Sequence, residues 1–220
     1  MTLPEKPPML LTAWTEDHRG DEAPAHHGGM GDWPFGDLKM FGYQLLLLDP
    51  PWGFENWSEK GEDRNANQHY GTMTWEEIAA LPVGQLASRD CACFLWCVDP
   101  LLDKGFDVLR AWGFRFVTVA FTWAKQSSTG EKWHMGTGYY TRANPETCLL
   151  GMMGSLERRS AGVRQLVIEP VREHSRKPDR IADDIVRLFG DLPRAELFAR
   201  TQRSGWELWG AETEKFDVIK

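Results

Sequence analysis

The stretch Leu45-Leu46-Leu47-Leu48-Asp49-Pro50-Pro51-Trp52 decides the fold: a wholly apolar strand runs into a carboxylate, two prolines and an aromatic. A strand that is apolar on both faces belongs in the middle of a parallel sheet covered by helices. In such sheets ligands bind at the carboxyl ends of the strands, which puts Asp49 at the mouth of a site. Pro50 and Pro51 lack an N–H and have fixed φ angles, so they end the sheet pairing and stiffen the loop.

Outward from this stretch, further strands are expected at residues 92–98, 115–124, 146–152, 165–169 and 194–200, with 43–48 as the first. Helices are signalled between them. Thr74-Trp75-Glu76-Glu77 has the form of a capping box. Asp99-Pro100 reads as an N-cap followed by proline at the first helical position, and Gly113 closes that helix. Residues from Pro178 to Gly190 repeat the pattern, with Ile181, Ile185 and Leu188 on one face. The alternation implies a Rossmann-like α/β fold with a mostly parallel sheet and helices on both faces.

Residues 1–40 are rich in Pro, Gly and acidic side chains and lack any period, so they are expected to be a partly disordered extension to a domain spanning 41–220. No apolar run approaches a membrane span and no signal-peptide pattern opens the chain, so a cytoplasmic location is expected. Cys91, Cys93, Cys97 and Cys148 lie within or beside apolar runs without C-x-x-C spacing, which favours buried reduced thiols and implies no metal. The net charge of −7 opposes indiscriminate binding to nucleic acid. Its distribution is uneven: residues 1–39 hold three basic and seven acidic side chains, whereas residues 157–180 hold seven basic and four acidic. A basic face including Arg158, Arg159 and Arg164 is one candidate contact for nucleic acid, and an ordinary solvated loop is the alternative.

The residue types at 49–52 suit one difficult reaction, the methylation of an aromatic amine. The lone pair of such a nitrogen is delocalised into its ring, and two acceptors placed around it draw both hydrogens out of plane. Asp49 offers a carboxylate and Pro50 a backbone carbonyl for that purpose, while Trp52 offers a face on which an extruded base can stack. The alternative is a structural turn, with Asp49 capping a helix and Trp52 filling the core.

The chain from about residue 41 to 214 resembles the MT-A family of adenine-N6 methyltransferases, its prokaryotic branch more than its eukaryotic one. The matches run in order: Asp49-Pro50-Pro51-Trp52, His69-Tyr70-Gly71-Thr72-Met73, Phe94-Leu95-Trp96, Ala111-Trp112-Gly113-Phe114, Phe121-Thr122-Trp123, Met135-Gly136-Thr137-Gly138, Arg142-Ala143-Asn144, His174-Ser175-Arg176-Lys177-Pro178-Asp179 and Glu196-Leu197-Phe198-Ala199-Arg200. The resemblance implies a Rossmann-like methyltransferase of permuted order, in which the catalytic loop precedes the main cofactor-binding strand. It implies S-adenosyl-L-methionine as cofactor, catalysis by Asp49, Pro50, Pro51 and Trp52, and cofactor contacts from Asp49, Lys177, Phe198 and Arg200. Gln202, Arg203 and Glu212 are further cofactor candidates, and Tyr70, Trp123, Arg142 and Asn144 join Trp52 as substrate candidates. The expected substrate is adenine in DNA, with RNA as the alternative and a non-catalytic nucleic-acid-binding subunit as the alternative of another class. A homodimer is compatible with this. One departure stands out: Trp209-Gly210 is followed by Ala211 where the family often has Asn to contact the cofactor's adenine.

Overall fold

The computed structural model describes residues 33–53, 71–173 and 175–216. The strands and helices all belong to the unit from Asp37 to Lys220. The extension expected at 1–40 lies mostly outside the described residues.

Seven strands form one sheet: β1 (Tyr43–Leu48), β2 (Ala87–Cys97), β3 (Arg115–Gln126), β4 (Pro145–Met153), β5 (Leu166–Pro170), β6 (Arg194–Leu197) and β7 (Glu207–Trp209), in the order β5-β3-β4-β2-β1-β6-β7. β1 is parallel to both β2 and β6, β6 to β7 and β3 to β5, while β4 runs antiparallel to β2 and β3. Only β4 therefore departs from the common direction, and the sheet is mostly parallel as expected. The strand order turns at β1. The chain builds β2, β3, β4 and β5 on one side of it and then crosses to place β6 and β7 on the other, so the crevice at the carboxyl ends of β1 and β6 is a topological switch point.

Helices α1 (Trp75–Ala80), α2 (Leu102–Ala111) and α3 (Arg180–Phe189) cover both faces. Alternation along the strands sorts the core. Leu45, Leu47, Phe94, Trp96, Phe121 and Cys148 form one cluster with Ile181, Ile185 and Phe189 of α3. On the opposite face α2 lies so close to β2 and β4 that a Cβ at Gly105 would stand 2.5 Å from Cys97 Sγ, which explains a glycine inside a helix there. Burying these side chains is the main stabilising contribution, about 1.5–3 kcal/mol for each large apolar group.

Local signals account for most element ends. Thr74 Oγ1 accepts from Glu77 N–H at 3.2 Å, and Glu77 Oε2 accepts from Thr74 N–H at 2.8 Å, completing the expected capping box. Gly190 ends α3 with φ +99, a left-handed value that other residues reach only with strain. Two boundaries differ from expectation. Asp99 is not an N-cap but opens a 3-10 turn, Asp99–Leu101, that leads into α2. Pro178 does not begin α3, whose first residue is Arg180 with Asp179 as its N-cap; the entry is a tight turn in which Ile181 N–H donates to Pro178 O at 3.2 Å, a three-residue rather than a four-residue spacing. β7 was not anticipated. It is anchored to the start of β1 by Tyr43 Oη, which donates to Glu207 Oε2 at 2.6 Å; burial and that carboxylate push the Tyr43 phenol up to about 12.

Among the described residues no helix is long and apolar enough to cross a membrane, and no group of His, Cys, Asp and Glu is placed to hold a metal ion. All four cysteines are free and buried, and burial raises each thiol above its ordinary range.

Candidate active site

The buried apolar strand β1 delivers Asp49 to the carboxyl edge of the sheet, and the turn after it is pinned by backbone hydrogen bonds. Trp52 N–H donates to Pro50 O at 2.9 Å, Met73 N–H to Pro51 O at 2.8 Å and Gly53 N–H to Met73 O at 2.8 Å. Pro50 O keeps a second lone pair, since a carbonyl has two. The turn is thus closed on itself and by the residue that precedes α1's N-cap.

Four charged side chains alternate in sign across this edge. Lys125 Nζ lies 2.5 Å from Glu146 Oε1, Glu146 Oε2 lies 3.2 Å from Lys177 Nζ, and Lys177 Nζ donates to the Asp49 carboxylate at 2.8 Å. The carboxyl of Glu146 is half-buried, which by itself would raise its pKa, but the Lys177 and Lys125 cations outweigh that desolvation and bring it down to about 2. Burial opposes the charge of Lys177 in the same way, yet Asp49 and Glu146 hold its ammonium above the usual lysine range. Both groups are therefore ionised at neutral pH. The Lys177 ammonium also lies over the Trp96 ring, 5.6 Å from its centroid.

A shallow cleft opens beside this chain of charges. Asp49, Lys177, Phe198, Arg200 and Arg203, all expected from the sequence, line it together. Glu196, Arg176, Ser175 and Phe216 also line it and were not anticipated as site residues. Arg203 Nε donates to Glu196 Oε2 at 2.8 Å and Arg203 Nη1 to Asp179 O at 3.3 Å, tying the end of β6 to the start of α3. Burial raises the Glu196 carboxyl, and Arg203 only partly offsets it. Two non-glycine residues on the cleft, Ser175 with φ 62 and Phe198 with φ 59, hold left-handed backbone. Strain of this kind collects at ligand sites, where the surroundings enforce it.

The remaining candidates are dispersed. Gln202 is exposed and does not line the cleft, and Glu212 pairs with Lys215 at 2.6 Å and, at 3.7 Å, with Arg200. Ala211 is exposed in the turn beyond β7. Tyr70 lies outside the described residues. Arg142 is exposed on the β3–β4 loop, and Asn144 fastens that loop, its Nδ2 donating to Lys125 O at 2.8 Å and to His134 O at 2.5 Å. Arg158, Arg159 and Arg164 follow β4 at the other end of the sheet, where Arg159 N–H donates to Leu188 O near the end of α3.

Trp52 and Trp123 are placed differently from open stacking faces. Trp52 is 4% exposed, with its indole N–H donating to Trp96 O at 2.8 Å. Trp123 is likewise buried, its N–H donating to Glu169 O at 3.0 Å. Both rings are consumed by packing, because an indole in a strand-rich core is stable once its single donor is satisfied.

Glu146 is the principal residue that sequence reasoning missed. The available signal was a carboxylate near the start of an otherwise apolar strand, Pro145-Glu146-Thr147-Cys148-Leu149-Leu150, where an unpaired charge would be costly.

Comparison with known proteins agrees with this geometry. The family model MT-A70 matches residues 43–212. The Type II methyltransferase M.MunI of a Mycoplasma species is 30% identical over 195 residues, covering 81% of each chain. An N(6)-adenosine-methyltransferase MT-A70-like protein of Drosophila melanogaster is 31% identical over 172 residues, 77% of this chain and 26% of its own. The human N(6)-adenosine-methyltransferase catalytic subunit METTL3 is 29% identical over 167 residues, 74% of this chain and 27% of its own. This chain thus spans about a quarter of those two eukaryotic relatives. With a matching family model over most of its length, a mostly parallel sheet and a carboxylate at its switch point, the chain belongs to the MT-A70 family and is a methyltransferase.

Proposed function

We propose that this protein is an S-adenosylmethionine-dependent enzyme that methylates the exocyclic amino nitrogen of adenine in DNA. The observation that carries the proposal is the Asp49 carboxylate at the end of β1, held by Lys177 at 2.8 Å on the rim of the cleft.

The cleft suits the cofactor. Lys177 and Arg200 offer cations for a carboxylate, Glu196 an acceptor for hydroxyls and Phe198 an aromatic wall. When bound, S-adenosylmethionine supplies a methyl carbon made electrophilic by its sulfonium.

The chain's own residues prepare the acceptor. Asp49 accepts one amino hydrogen of adenine and the free lone pair of Pro50 O the other, which draws the nitrogen lone pair out of conjugation. Lys177 orients Asp49 through their ion pair, and Glu146 holds Lys177 while Lys125 holds Glu146. The stiff Pro50-Pro51 turn means that little reorganisation accompanies the reaction. The four cysteines are buried and none lines the cleft, which disfavours methylation of cytosine carbon through a thiolate nucleophile.

DNA is the proposed substrate because the chain spans most of a bacterial Type II methyltransferase but only about a quarter of the N(6)-adenosine-methyltransferases. The recurrence of those adenosine enzymes among its relatives makes RNA the second reading. Incubation with labelled cofactor and matched single- and double-stranded DNA and RNA, followed by nucleoside analysis, tests both. The expected product is N6-methyladenine in DNA. The same product in RNA alone would transfer the assignment, and methylated cytosine or no transfer to any substrate would overturn it.

A further inference from the structure

We propose that the β3–β4 loop, residues 127–144, is a stacking platform for unpaired bases beside the target adenine, so that the enzyme takes its nucleic acid single-stranded or locally opened. This rests on the methyltransferase reading and adds to it the form of the substrate and the surface that receives it.

The loop stands at the reactive edge of the sheet. It leaves β3 immediately after Lys125 and Gln126 and rejoins β4 at Pro145 and Glu146, so both its ends adjoin the charges that reach Asp49. It is also a built structure. Ser127 N–H donates to Lys132 O at 2.7 Å, His134 N–H to Lys125 O at 3.0 Å and Gly136 N–H to Ala143 O at 2.7 Å, while Asn144 clamps both sides of its base.

On this frame the large side chains face outward. Tyr140 is 95% exposed, Met135 73% and Trp133 61%, with Tyr139 beside them. A fastened loop that leaves such groups in water marks a binding surface. Its charge fits a polyanion, because Lys132 and Arg142 flank these groups and Glu131 is the loop's only carboxylate, in a chain of net charge −7. Exposed aromatics interleaved with cations bind single strands, since every base has a face to stack and the phosphates meet the cations. A duplex hides those faces. The second basic cluster, Arg158, Arg159 and Arg164, has no aromatic between residues 157 and 164 and sits at the opposite end of the sheet.

The test uses the full-length protein without cofactor and fluorescein-labelled oligo-dT, which contains no target base, with binding read by anisotropy. Trp133→Ala and Tyr140→Ala should each weaken binding about five- to a hundredfold, while Arg158→Ala should leave it within about twofold. The parent should prefer the single strand to a matched duplex, and both loop variants should lose that preference. Unchanged binding in Trp133→Ala and Tyr140→Ala, with melting temperatures equal to the parent's, would overturn the proposal. So would a change of the same variants from dimer to monomer in sedimentation with oligo-dT affinity intact, for the loop would then be an interface between copies. The two readings fail separately: a protein that transfers no methyl group but loses oligo-dT in the loop variants retains the platform and loses the enzyme, and the converse loses only the platform.

Discussion

Lys177 and Asp49 are 128 residues apart in the chain, and their side chains meet at 2.8 Å in a partly buried ion pair. Neither has an alternative partner of equal quality nearby except Glu146, which shares the Lys177 ammonium at 3.2 Å. Removing one member therefore has consequences for both others.

Asp49→Ala is expected to lower methyl transfer at least about a hundredfold, the scale seen when one polar group aimed at a reacting centre is removed. Lys177 retains Glu146, so the fold should survive. Single-turnover assays alongside circular dichroism test this, and near-parental turnover would remove Asp49 from the chemistry.

Lys177→Ala should be more harmful than Asp49→Ala to stability, because it leaves two carboxylates, Asp49 and Glu146, facing each other without a cation between them. A charge-assisted hydrogen bond contributes about 1.5–3 kcal/mol, which is roughly ten- to a hundredfold in cofactor affinity. Arg158→Ala, exposed at the far end of the sheet, should stay within about 0.5 kcal/mol of the parent. Calorimetric titration with cofactor and urea unfolding distinguish the two positions.

The acid limb of the stability curve should carry the signature of Glu146. Its folded pKa of about 2 lies below the ordinary value of 4.5, so its stabilising effect is complete above the unfolded value and is lost as pH falls toward about 2. Glu146→Gln should be less stable than the parent at pH 6 and should show a flatter decline between about pH 4.5 and 2. Parallel slopes for the two proteins in urea titrations across that window would contradict the ion-pair assignment.

Trp52→Phe separates packing from base stacking. It keeps an aromatic ring but removes the donor to Trp96 O, and should cost about 1–3 kcal/mol of stability. A purely substrate-facing ring would give a loss in KM with no change in unfolding midpoint.

β1 was legible in the sequence because a strand buried on both faces reads as an unbroken apolar run, and the capping box at Thr74 because all its parts are local. The cleft was legible at Asp49, Lys177, Phe198, Arg200 and Arg203 through ordered motifs. Glu146 was not, since its meaning depends on β4 lying beside β2 and β3 so that Lys125 and Lys177 converge on it. The packing of Trp52 was not legible for the same reason: the carbonyl that takes its indole hydrogen belongs to Trp96, 44 residues away. β7 was overlooked because three residues are too few to display a period.

The hydrogen bonds joining Pro51 and Gly53 to Met73 are made by backbone atoms on both sides. They tie the turn after Asp49 to the residue just before the N-cap of α1, so the carboxylate's place at the sheet edge does not depend on which side chain stands at 73. A substitution that unseats the start of α1, such as loss of the Thr74 cap, would therefore act from a distance on the footing of Asp49.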